Sequence, residues 1–169
     1  MSKEKVWRLI TIVTIINALL TPTLFLLEAH VRSDGNIRLF MKNYGAQYPG
    51  VISTLSKGET FIDVCLVTPV KEELEARGLL WGLIVIPPIL YRRQMKIKPI
   101  VALLALLIPT FFWAKAHPVV LPVFSAGILW GFLVYKTERL WPAIFCHGAA
   151  NTVLYAAALI AMRTNTIIA

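Results

Sequence analysis

"VKEELEARGLLWGLIVIPPIL", residues 70–90, opens with Lys71, Glu72, Glu73, Glu75 and Arg77 and then runs apolar to Leu90. On a soluble helix such a cluster is ordinary surface. At the centre of a bilayer each such group costs about 2.5–3.5 kcal/mol on insertion scales, so it survives only with a partner or a task. Deciding between these two solvents decides the fold. The chain has 169 residues, of which 57% are hydrophobic. Soluble domains average about 45–50% apolar residues. Mean hydropathy is +0.69. The apolar excess is gathered into long runs, which reads as an integral membrane protein.

Working outward, five runs predict transmembrane helices. "LITIVTIINALLTPTLFLL" (9–27) is the first. At roughly 19 residues it exceeds the apolar core of a signal peptide and lacks a small-x-small site, so it is expected to be retained, with Pro22 kinking it. The second runs from Phe61 to about Leu90, with Pro69 interrupting it just before the glutamates. The third is 99–117, the fourth 119–135 and the fifth 142–162, the last two joined by the turn "KTERLW" (136–141). Between the first two runs, "SDGN" (33–36) marks a turn. Residues 37–44 and 51–55 predict short interfacial helices. The expected fold is all-α: a polytopic membrane bundle of about five transmembrane helices plus short interfacial helices, with 1–58 as an N-terminal helix and interfacial segment and 59–169 as a four-helix core. Gly127 and Gly131 form a small-xxx-small face for close helix packing.

The formal charge of +8 admits a nucleic-acid binder. But Arg92, Arg93, Lys96 and Lys98 sit in a short link between two apolar runs, which suits an anionic membrane surface, and no aromatic-rich basic patch accompanies them. No nucleic-acid partner is expected. Cys65 and Cys146 lie in or beside apolar segments without CxxC spacing, so both are expected as buried core residues.

Few ionisable or amide side chains interrupt the apolar runs: Glu72, Glu73, Glu75 and Arg77 in the second, His117 at the end of the third, and His147 and Asn151 in the fifth. Each has a structural reading. Glu73 and Arg77, four apart, can be an ion pair. His117 can cap a helix before Pro118. His147 and Asn151, also four apart, can be interhelical glue. Together they need one another, because lipid supplies no partners. If the second to fifth runs alternate up and down, all four can bring polar groups to one cavity, in the half of the membrane away from Arg92 and Arg93. Glu72 and Glu73 diverge by about 100° around a helix. One can work while the other holds Arg77. A carboxylate, two histidines and an amide in a dry cavity suit amide hydrolysis: the carboxylate takes a proton from water, a histidine orients it, and the other histidine and the amide stabilise the oxyanion.

Three blocks carry a family resemblance. "TPVKEELEARG" (68–78) resembles the EExxxRG motif of the CPBP family, intramembrane proteases that include the type II CAAX prenyl endopeptidase. "WAKAH" (113–117) is similar to its FxxxH block, and "GILWGFLVYKTERLWPAIFCHGAAN" (127–151) to its third, ending in HxxxN. The resemblance implies a glutamate intramembrane endopeptidase with Glu72 as general base, His117 helping to activate water, His147 and Asn151 at the oxyanion, and Glu73 with Arg77 bracing the helix. It implies no cofactor. A zinc-dependent version, with Glu72 or Glu73, His117 and His147 as ligands, is the alternative; the absence of an HExxH-like cluster and the presence of Asn151 favour the metal-free one. Ala76 and Trp113 replace the aromatic and the phenylalanine usual in the family. The implied substrate is a membrane-embedded or lipidated peptide, and the implied location a prokaryotic cell membrane, as in small bacterial and archaeal relatives. Two other classes compete: a silent scaffold or immunity protein, against which every motif residue is retained, and a proton-coupled carrier, against which there is no internal repeat.

Overall fold

The computed structural model describes residues 1–36, 60–91 and 98–163. These form five α-helices with no strand: α1 Lys3–Arg32, α2 Thr68–Tyr91, α3 Pro99–Lys115, α4 Val120–Thr137 and α5 Trp141–Arg163. The interfacial helices expected at 37–44 and 51–55 lie outside the described residues, as does the basic stretch 92–97.

Local chemistry sets the boundaries. Ser2 caps α1, accepting from Lys5 N–H, and the helix ends where Asp34 and Gly35 turn to positive φ (49° and 84°). Gly35 N–H then closes on His30 O, which is the turn expected from "SDGN". α1 runs past the apolar stretch to Arg32, so Glu28, His30 and Arg32 are helical. At the other end of the bundle Glu138 adopts φ 57° and donates its N–H to Val134 O, ending α4, while Thr137 Oγ1 bonds Leu133 O and Arg139 O.

Pro69 does not interrupt the second run. Helix begins at Phe61 and passes through a π-helical turn, Asp63–Val67, directly into α2. Thr60 and Asp63 cap its start reciprocally: the Asp63 carboxylate accepts Thr60 N–H at 2.9 Å, and Thr60 Oγ1 accepts Asp63 N–H at 3.3 Å. In the π-turn Thr68 N–H reaches back five residues to Asp63 O. The next donor in that pattern would be Pro69, which has no N–H. Val64 O is thereby left without a helical partner.

α4 lies at the centre and touches each of the other four helices. Its glycines permit this. A Cβ at Gly131 would collide with Leu106, and one at Gly127 would collide with Thr110 and Arg77. The small-residue face therefore seats α3 against α4. Val6, Ile10 and Val13 of α1 join Leu80, Ala105, Trp130, Leu133, Ala143 and Cys146 in one core cluster, and both cysteines are buried and unpaired.

Polarity is distributed inside out. Glu73 and Arg77 are 0% exposed, whereas Leu19, Phe112 and Val153 are 71%, 68% and 70% exposed. Exposed large apolar residues occur on all five helices. α1 and α4 are each long and apolar enough to cross a membrane, and α3 is apolar over 17 residues.

Candidate active site

Glu72 and Glu73 lie on the third turn of the continuous helix that begins at Phe61. The step of about 100° between successive helical residues sends them into different surroundings.

Glu73 points into the dry centre. Its Oε1 accepts from Arg77 Nη1 at 3.0 Å, one helical turn away, and faces His147 Nδ1 at 3.0 Å. Arg77 makes this one hydrogen bond; among the described residues its Nε and Nη2 have no hydrogen-bond partner. The guanidinium is held instead by aromatic faces: its carbon lies 4.4 Å from the Trp113 ring centre and 5.8 Å from that of Trp130. A cation over indole in a desolvated site gains about 2 kcal/mol. Gly127 makes the arrangement possible, since a side chain there would occupy the space of Arg77 Nη2.

Glu72 points to a half-open layer. Its Oε2 accepts the indole N–H of Trp113 at 3.1 Å, and it lies 3.6 Å from His147 Nε2 and 3.8 Å from His117 Nε2. The Glu72 and His117 side chains keep 24% and 29% of their exposure, so water can reach this layer. His117 Nδ1 is 2.8 Å from Trp113 O. A carbonyl oxygen only accepts, so Nδ1 carries the hydrogen and Nε2 is turned toward Glu72. His147 is set the same way by Glu73 on its Nδ1 side, and Trp130 stacks on its ring at 4.5 Å with an interplanar angle of 23°.

Asn151 is part of a different contact. Its amide N–H donates at 2.9 Å to Val64 O, the carbonyl orphaned by the π-turn and Pro69. One turn before it, Gly148 lies so close to the same segment that a Cβ would come within 2.6 Å of Cys65 O. α5 is therefore locked to the π-turn by a glycine contact and an amide bond. Asn151 has a second amide hydrogen beyond the one bonded to Val64. Glu75 is exposed and stands apart from these groups.

The expected residues thus assemble as Glu72, His117 and His147 around one carboxylate oxygen, with Glu73 and Arg77 behind them and Asn151 one turn along α5. α4 contributes no polar group; it supplies the gap at Gly127 and the Trp130 ring. In the sequence Trp113 stands out only as a replacement for the family's phenylalanine; in the structure it bonds Glu72, covers Arg77, and carries the carbonyl that orients His117. A signal was present: an indole N–H in an apolar run needs an acceptor, and Trp113 stands four residues before His117.

Zinc requires donors at about 2.0–2.2 Å around one centre. Among the described residues no three His, Cys, Asp or Glu side chains converge in that way. The Glu72 oxygen nearest both histidines already holds the Trp113 N–H.

Compared with known families, residues 59–153, more than half of the chain, match the family described as type II CAAX prenyl endopeptidase Rce1-like. No curated protein and no solved structure matches the chain.

Proposed function

The chain belongs to the type II CAAX prenyl endopeptidase Rce1-like family, whose activity is proteolytic, and from that premise we propose that it is an intramembrane endopeptidase in which Glu72 activates water. The observation that carries this reading is the convergence of His147 Nε2 and His117 Nε2 on Glu72 Oε2, at 3.6 and 3.8 Å, while the adjacent Glu73 is consumed by Arg77 and His147. Those separations are too long for strong hydrogen bonds, and they leave room for a small reactant among the three groups.

The chemistry follows from the positions. Glu72 accepts a proton from water, and His117 Nε2 orients that water. The hydroxide attacks the carbonyl carbon of the scissile amide. Electrons move to the carbonyl oxygen, giving a tetrahedral oxyanion. His147 and the second amide hydrogen of Asn151 stabilise it. Because His147 Nδ1 already donates to Glu73, donation from Nε2 requires the imidazolium form. That cation, with Arg77, balances the two glutamates inside the bundle. Collapse of the intermediate breaks the C–N bond, and Glu72 returns its proton to the leaving nitrogen.

The substrate class is a membrane-embedded or lipidated peptide, cut within the bilayer. The buried ions and exposed apolar girdle support a multi-pass arrangement in which all five helices cross the membrane. In that solvent, apolar surface is the favourable exterior and the ion cluster the functional interior.

The test is cleavage of a library of membrane-spanning and lipidated peptides by the purified protein in bilayers, with product termini identified by mass spectrometry. Cleavage at defined bonds supports the reading; binding without cleavage makes the chain a silent scaffold. A second arm addresses metal. Activity is expected to survive prolonged chelation, and elemental analysis to find less than about one zinc per chain. Stoichiometric zinc with chelation loss restored by zinc would replace the glutamate mechanism with a metal-assisted one.

A further inference from the structure

The family match begins at residue 59, so α1 lies outside it. Yet α1 holds the turn that carries His117. α4 starts at Val120 with Val119 at its cap, a residue with no side-chain oxygen to offer the first orphan N–H groups. A carboxylate from α1 does it instead. Glu28 Oε1 accepts Val120 N–H at 3.0 Å and Glu28 Oε2 accepts Leu121 N–H at 2.8 Å. Arg32 then bridges, donating from Nη1 to Glu28 Oε1 at 3.0 Å and to Pro118 O at 2.8 Å. Glu28 is buried, and Ala29, Val119, Phe25 and Val123 close an apolar contact around the latch.

Pro118 is the residue after His117. The histidine is fixed on one side by α3, through its own N–H to Ala114 O and its ring to Trp113 O, and on the other by the peptide that Arg32 grips. A negative charge on the α4 N-terminus also suits the helix dipole. Further down, Thr14 meets Cys146, the neighbour of His147, at 3.7 Å.

We propose that Glu28 and Arg32 are positioning residues for His117, making α1 a working part of the site although it stands outside the family core. The proposal rests on the reading of His117 given above, and its test separates the two. The protein is labelled at histidine with ¹³C and ¹⁵N and observed by NMR in detergent micelles; the chain has 3 histidines, so assignment by substitution is direct. Arg32→Met and Glu28→Gln are expected to shift the His117 ring signals while those of His147 stay in place. Arg32→Lys, which keeps one donor, restores most of the wild-type His117 signal. Where the wild type cleaves, Arg32→Met lowers kcat about ten-fold with KM within about two-fold, as for a catalytic group displaced by a fraction of an ångström. If Glu28→Gln does not fold, Arg32→Met decides alone, since its guanidinium is half-exposed. Unchanged His117 signals in a folded Arg32→Met protein overturn the proposal, and so do equal shifts at His117 and His147, which mean general loosening. A wild-type protein that cleaves nothing overturns the protease reading and leaves the NMR comparison to decide this one.

Discussion

Glu72 and Glu73 are one peptide bond apart and sit in different solvents. Glu73 is sealed, bonded to Arg77 and facing His147 Nδ1. Glu72 is about one-quarter exposed, hydrogen-bonded among the described residues only to the Trp113 indole, and flanked by two histidine nitrogens at distances that leave a gap. The same functional group becomes a fixed anion in one place and an available base in the other. Partnering and hydration make the difference. A carboxylate with a charged partner on one side and a histidine on the other has little reason to take a proton from water, whereas one whose neighbours stand back has both the room and the lone pair.

The largest effect that would break this division is loss of the base. Glu72→Gln is expected to lower cleavage by about 10²–10⁴-fold with little change in melting temperature, because an amide fills the same space but takes no proton. Glu73→Gln should do the reverse, lowering thermal stability first and retaining part of the turnover. Swapped outcomes in parallel cleavage and melting assays would exchange the two roles. Next in size, Arg77→Ala leaves Glu73 buried and unpaired and is expected to cost about 3–5 kcal/mol in detergent unfolding. A stability within about 1 kcal/mol of wild type would mean that Glu73 finds water, and that the inner layer is not dry. The smallest change sharpens the outer layer. Trp113→Phe keeps an aromatic face over Arg77 but removes the N–H from Glu72, a bond that water can replace in this partly exposed layer. Turnover is expected to fall about ten-fold while the unfolding midpoint moves little, measured side by side on one preparation. An unfolding loss larger than the activity loss would make Trp113 chiefly a packing residue.

Much of this was legible in the chain. Each polar interruption of an apolar run had to meet another, and Glu72, His117 and His147 do meet. Helix ends followed from Pro99, Pro118 and the "KTERLW" turn, and the Gly127–Gly131 face seats α3 as its spacing implied. What escaped shares one cause: it depends on pairs distant in sequence. Glu28 reads as the polar edge of a membrane helix until the α4 N-terminus, more than ninety residues on, comes to lie beside it. Trp113 reads as one more apolar residue until Glu72 stands within reach of its N–H. Asn151 reads as a catalytic amide, and one of its hydrogens turns out to serve a backbone carbonyl. That demand was invisible because it arises from the π-turn, and Pro69 alone suggested an interrupted helix.

The π-turn also acts as a phase shifter. It accommodates one residue more than an α-helix would over the same rise, so everything beyond it is rotated by about 100° relative to the helix start at Phe61. Azimuth counted from that start at 3.6 residues per turn sends Glu72 where Glu73 stands and Lys71 where Glu72 stands. Which of two identical side chains becomes the reagent is thus settled by a single surplus residue one turn upstream, in a stretch that carries no chemistry of its own.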